Sequence, residues 1–219
     1  MQPTQIILVQ DPQLKNEIAE KAMIGKGNQY RTRDCSVLTV FCSDLQPSMR
    51  IQRILELERS HTTQPRHPDY LAMMPIATSF MLGEGHAATF LKQATMEFLS
   101  SSTNQPMPDI EFARVWSYKN TSLMVQSYVL AATSHNLQTS IMEGFDSRHL
   151  KDLLNIPDDR YGIPMVVATG YEYCNPAAVN NSSDKSIDDC SQTARLKINE
   201  VVFQDTFGIP VKLDTDAKS

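Results

Sequence analysis

The chain has 219 residues, with 20 Lys+Arg against 25 Asp+Glu and a formal net charge of −5. Its 41% hydrophobic and 21% charged content is that of a globular protein able to bury a core without staples, not of a disordered or fibrous chain. The mild acidity gives no electrostatic case for nucleic-acid binding, whose affinity comes mainly from phosphate neutralisation, and no apolar run reaches the length of a membrane span.

The first predicted element is a strand, Ile6-Ile7-Leu8-Val9. Asp11-Pro12 then reads as a helix start, with Asp11 as N-cap and Pro12 at the first helical position. Leu14, Ile18, Ala22 and Ile24 keep an approximate helical stripe, which Gly25 and Gly27 break. Ser36 to Cys42 is a second strand, apolar enough to be buried on both faces. Met49 to Glu58 reads as helix, His61 to Asp69 as loop, and Gly83-Glu84-Gly85 as the break between helical stretches Leu71–Leu82 and His86–Leu99. Ser100 to Pro108 is a polar connection. Asp109 to Asn136 is the longest periodic segment, with Ile110, Ala113, Trp116, Leu123, Met124, Ser127, Tyr128, Ala131 and Ala132 near one stripe. It is expected to be the core helix, since surface helices are rarely so long or apolar.

Gln138 to Met142 follows as a strand, Glu143-Gly144-Phe145 as a turn, Asp146 to Leu154 as a capped helix, and Tyr161 to Thr169 as a buried strand with Pro164 near its start. Residues 175–193, rich in Asn, Ser and Asp, read as a mobile surface loop, and Arg195 onward as an extended apolar tail for which a second subunit is one candidate surface. No linker divides residues 1–219, so one domain is expected, of α/β or α+β class.

Cys35, Cys42, Cys174 and Cys190 lack the two-residue spacing of a zinc or redox motif and read as reduced thiols in a cytoplasmic protein. Gln2-Pro3-Thr4-Gln5 after Met1 does not have the order of a signal peptide. The five histidines form no ligand-spaced pair, so no metal is expected. Gly25-Lys26-Gly27 is no dinucleotide fingerprint and reads as a helix-ending turn. Asn28-Gln29-Tyr30-Arg31 after it is either a polar turn or a ligand clamp. Met142-Glu143-Gly144-Phe145-Asp146 joins a strand to a helix through a tight turn. Its free N–H groups could hold a planar, acceptor-rich ring, or Gly144 could simply make the turn and Asp146 cap the helix. Arg195 could grip a phosphate or stand in solvent.

Taken in order, these segments resemble the nitroreductase family of flavoenzymes over nearly the whole chain. Gln2-Pro3 with Ile6 to Val9 looks like the family's Asn-x-Gln-Pro-Trp segment and first strand. Gly27-Asn28-Gln29 with Arg31, then Val37 to Cys42, looks like the second. Lys119 to Leu137 looks like the core helix, Glu143-Gly144-Phe145-Asp146 like the flavin turn, and Arg195-Leu196 with Glu200-Val201-Val202 and Phe207-Gly208 like the closing segment.

The resemblance implies an α+β fold with a central mixed or antiparallel sheet flanked by helices, assembled as an intertwined homodimer with FMN at the subunit interface. NAD(P)H would reduce the flavin, and a nitroaromatic, quinone or related acceptor would reoxidise it. By the same resemblance Asn28 and Arg31 contact the pyrimidine or ribityl side, and the backbone at Glu143 and Gly144, with Met142 beside them, addresses the N5/O4 edge. Arg195 binds the phosphate, and Gln2 lies near the site formed with the other chain. The segment Leu91–Met107 falls where the family varies its substrate lid. The family's N-terminal Arg- and Ser-bearing helix has no counterpart, Thr4 stands in place of Trp, and Thr193 in place of a basic residue. An N-terminally truncated member is therefore expected. Losing two charge-assisted donors costs on the order of 3–6 kcal/mol, or ~10²–10⁴-fold in FMN affinity. A dimeric binding module without cofactor is the alternative.

Overall fold

The computed structural model describes residues 2–60, 66–103, 105–171 and 195–209. They belong to two units, residues 1–172 and 173–219. The expected loop 175–193 lies outside the described residues.

The first unit is built on a four-stranded antiparallel sheet. Its strands are β1 (Thr4–Val9), β2 (Val37–Asp44), β5 (Gln138–Met142) and β6 (Tyr161–Gly170), in spatial order β1-β2-β6-β5. Two-residue strands β3 (Leu82–Gly83) and β4 (Glu111–Phe112) pair in parallel apart from it. The register of β2 against β6 shifts between Phe41 and Ser43, so Ile163 and Pro164 together face Cys42. That bulge accommodates Pro164, which has no N–H to give the ladder.

The sheet is covered on both faces, as the apolar density of β2 requires. On one face lie α1 (Pro12–Lys21), α2 (Lys26–Asp34) and α7 (Ser147–Leu154), which enclose a core with Ile18, Ala22, Met23, Leu38, Val40, Cys42, Met142, Leu150 and Val166. Asp11 caps α1 by accepting from the Leu14 N–H at 2.7 Å. The expected helix-ending turn at Gly25-Lys26-Gly27 is instead a helix start. Gly25, at φ +83°, precedes Lys26, and Gly27 to Arg31 are helical. Only a glycine takes that left-handed φ without steric cost. Cys35 caps the end of α2 and stands outside β2, so it does not share a strand with Cys42.

The other face carries α6 (Ala113–Ser134), which starts later than expected because Glu111 and Phe112 are drawn into β4 and ends earlier because Asn136 turns left-handed at φ +57°. Its inward stripe is Ala113, Ser117, Thr121, Val125 and Ala132, whereas Leu123 and Met124 are exposed. The reason is a seam of hydroxyls. Thr121 Oγ1 shares hydrogen bonds with Ser43 Oγ (2.8 Å) and Thr4 Oγ1 (3.0 Å). Ser117 donates to the Asp44 carbonyl at 2.5 Å. Thr39 donates to the Tyr128 hydroxyl at 3.0 Å, which in turn bonds Thr169 at 2.9 Å. Small polar side chains let helix and sheet approach while each buried hydroxyl keeps a partner. Between them sit Phe41, Val125 and Val167.

A 3₁₀ turn (Pro47–Arg50) and helices α3 (Ile51–Ser60), α4 (Pro68–Met81) and α5 (His86–Thr103) complete the unit. Helix α5 runs through residues expected as connection. In the second unit the expected extended tail contains one helical turn, α8 (Ile198–Val201), with Phe203 and Phe207 rings 4.8 Å apart beyond it.

Candidate functional site

Two connections meet beside the edge strand β5, one between α1 and α2 and one between β5 and α7. The Ile24 N–H donates to the Gly144 carbonyl at 2.9 Å, and the Asp146 N–H donates to the Ala22 carbonyl at 2.7 Å, with Met23 and Phe145 bridged between them. Gln29 Nε2 supports the first connection by donating to the Met23 carbonyl at 3.2 Å.

Within the β5–α7 turn, the Phe145 N–H donates to the Glu143 carbonyl at 3.0 Å. A trans peptide sets its C=O and N–H in opposite directions. The Glu143 carbonyl is turned into the turn, so the Gly144 N–H points away from it. Among the described residues that N–H has no acceptor, and neither has the N–H of Glu143. Asp146 does cap α7, accepting from the N–H groups of Arg148 (2.9 Å) and His149 (3.1 Å). The His149 N–H and imidazole hold its carboxyl below the ordinary value. The aspartate thus caps the helix, and among the described residues the two N–H groups before it have no acceptor.

Gly144 is favoured by the close approach of one side chain rather than by its φ. A Cβ there would stand 2.6 Å from Asn28 Nδ2. Asn28, in the first turn of α2, donates from Nδ2 to the carbonyls of Gly144 (3.2 Å) and Ile24 (2.9 Å). Its Oδ1 accepts from Arg31 Nη1 at 3.3 Å. Asn28, Arg31, Glu143 and Gly144 therefore form one group, with Arg31 and Glu143 exposed. Met142 is adjacent in sequence, but its side chain is buried in the core, leaving only its backbone for a ligand.

Two further residues are expected at the site. Gln2 precedes β1, at the opposite edge of the sheet from β5. Three strand spacings, about 14 Å, separate those edges. Its carbonyl accepts from Arg50 Nη1 at 2.8 Å. Arg195 is exposed in the second unit, three residues before α8.

Sequence reasoning missed the anchor of the Gln2 segment. Asp44 is fully buried, and its carboxylate accepts from Arg50 Nε (2.7 Å), Arg160 Nη2 (3.0 Å) and the Gln46 N–H (3.0 Å). Burial is the largest influence on this carboxyl and would raise its pKa. The Arg160 and Gln46 hydrogen bonds and the Arg50 charge outweigh it and hold the value below the ordinary one. The Asp44 N–H also holds the Pro3 carbonyl at 2.7 Å. No spacing in the chain announces a contact between residues 44 and 160.

Three cavities of about 350, 570 and 670 Å³ lie along α4, α5 and the N-terminal part of α6, and none has Gly144 in its lining.

The nitroreductase family profile matches residues 1–171. A nitroreductase-type protein of Bacillus subtilis superposes with a TM-score of 0.61 at 20% identity, covering 93% of this chain and 78% of that one. One from Exiguobacterium sibiricum, solved in complex with FMN, gives 0.62 at 15% identity, covering 92% and 76%. A protein of Staphylococcus epidermidis described as an NAD(P)H:FMN oxidoreductase gives 0.54 at 18%, covering 91% and 74%. At these identities the likeness is one of fold. No curated relative matches the sequence.

Proposed function

The chain belongs to the nitroreductase family, and from that premise we propose that it is an FMN-dependent oxidoreductase. It would take electrons from NAD(P)H and pass them to a nitroaromatic, quinone or related acceptor. The observation that carries this reading is the Gly144 turn: an N–H with no acceptor among the described residues, a glycine whose Cβ would meet the Asn28 amide, and a guanidinium beside it. That donor set suits the acceptor-rich edge of an isoalloxazine. A protein of the same fold from Exiguobacterium sibiricum was solved in complex with FMN.

FMN bound there would supply two-electron hydride chemistry through its ring. The chain's own residues would hold and orient it. The Glu143 and Gly144 N–H groups would donate to the ring edge, without reorganising because two backbone hydrogen bonds fix the turn. Arg31 would address the pyrimidine side, and Arg195 the phosphate. None of the three cavities along α4, α5 and α6 borders the turn, and the ring would be covered by a second copy that contributes Gln2. The exposed residues Leu123, Met124 and Leu130 of α6 support such a homodimer. So do Ile6 and Leu8 of β1, exposed on the strand face that Thr4 turns toward α6. Apolar surface of this kind marks association sites.

The test is to purify the protein, titrate it with FMN, and follow NADH or NADPH oxidation with menadione or a nitrofuran as acceptor. Yellow protein that releases FMN on denaturation and turns over both substrates is the expected outcome. A colourless protein that takes up no added FMN refutes the proposal and leaves the dimeric binding module.

A further inference from the structure

We propose that Asn28 is a positioning residue, whose carboxamide sets the Gly144 turn at the height from which its free N–H meets a flavin ring. The proposal rests on the flavin reading above. Asn28 joins α2 to a turn 116 positions away in sequence. Its amide orientation follows from its neighbours: two carbonyl oxygens, of Ile24 and Gly144, face one end, and the Arg31 guanidinium faces the other. Only Nδ2 toward the carbonyls and Oδ1 toward the arginine satisfies all three.

Both N–H donors of the carboxamide are then spent on protein. One Oδ1 lone pair is all that remains, so Asn28 has no donor left for a ligand. The Gly144 carbonyl receives two donors, Ile24 N–H and Asn28 Nδ2, and is held from both sides. The carboxamide also fills the space a Gly144 Cβ would need, at 2.6 Å. It acts as a wedge under the turn as well as a tie to it. Through Oδ1 the same group holds Arg31. One side chain thereby fixes the relative placement of the two groups proposed to address the ring, the Gly144 N–H and the Arg31 guanidinium. Hydrogen bonds at the ring edge tune a flavin's electronics, so displacing the turn changes the potential of the bound flavin as well as its affinity.

The test is a double-mutant cycle of wild type, Asn28→Ala, Gly144→Ala and the double variant. FMN dissociation constants, midpoint potentials of the bound flavin, and melting curves of the flavin-free proteins are the readouts. Each single change is expected to weaken FMN about tenfold or more and to move the potential in the same direction. In the double variant the loss stays within about threefold of the larger single loss, because the added methyl no longer meets the amide. Asn28→Asp keeps the side-chain shape and an acceptor for Arg31 but turns lone pairs toward two carbonyls, and is expected to be as damaging as Asn28→Ala. Losses that multiply, an unmoved potential in Asn28→Ala, or full FMN affinity in Asn28→Asp would each overturn the positioning role. Wild-type protein that takes up no FMN would instead sink the flavin reading. The melting cycle keeps the two failures apart, because it reports the Asn28–Gly144 coupling with no flavin present.

Discussion

Replacing Asp44 by Asn tests the anchor beneath the Gln2 segment. The wild-type carboxylate is fully buried and neutralises two arginines, Arg50 at 2.7 Å and Arg160 at 3.0 Å. The amide keeps the shape and removes the charge, leaving two guanidinium groups facing each other across a neutral residue. Breaking a buried pair on one side costs ~3–5 kcal/mol. The side chains of Arg50 and Arg160 are 22% and 31% exposed, so water compensates in part. The lower end, about 3 kcal/mol, is therefore expected. Urea unfolding at pH 7 reads it as a midpoint lowered by about 1.5 M for a slope of ~2 kcal/mol/M.

The pH dependence has a definite sign. The folded-state value of Asp44 is depressed, so its stabilisation is fully present above the unfolded value of about 3.9. It is lost as pH falls through the lower folded value. The gap between wild type and Asp44→Asn should hold from pH 7 to about 5 and close below that. A cost under ~1 kcal/mol at pH 7, or a gap unchanged at pH 3, would show that the two arginines do not depend on this carboxylate.

Arg195→Ala should weaken FMN by about tenfold to a hundredfold, as expected for a lost charge-assisted bond; undiminished flavin retention on gel filtration would remove Arg195 from the phosphate site. Deleting residues from Phe203 onward should shift the protein toward monomers in size-exclusion chromatography, because those apolar residues would pack on a second copy; an intact dimer would contradict this. Thr121→Val should cost about 1–3 kcal/mol by stranding the hydroxyls of Ser43 and Thr4. A thermal midpoint within about a degree of wild type would show that the hydroxyl seam contributes nothing. The Cys42 thiol, pushed up to about 11 chiefly by burial, should resist alkylation at pH 8 in the native protein and react once denatured; rapid native labelling at Cys42 would place it at the surface.

Signals that act over a few residues were legible. Asp11-Pro12 starts α1, Asp146 caps α7, and the apolar run of β2 is buried on both faces. Each is decided by contacts within one turn of chain, or by the count of apolar side chains a strand must hide. The Gly144 turn was legible for the same reason: a glycine between a strand and a capping aspartate has few other uses.

The inward face of α6 was legible only in part: Ala113, Tyr128 and Ala132 of the expected stripe do face inward, but Leu123 and Met124 are exposed and Ser117 and Thr121 stand in their place. Ser117, Thr121 and Tyr128 turn inward since Asp44, Ser43, Thr39 and Thr169 offer them partners. Burial of a hydroxyl depends on what stands opposite, which periodicity does not encode. The α2 start was hidden likewise. Gly27, Asn28 and Thr32 are weak helix formers, and ties from Asn28 to Gly144 and from Gln29 to Met23 outweigh that preference. From its residues alone this protein specified most strands of its main sheet, the caps of α1 and α7, its family resemblance and the turn at Gly144. Only folding decided which atoms at that turn are held by partners within the described residues and which are not. Hydrogen-bond capacity is settled by partners more than a hundred residues away, and a local sequence cannot count them.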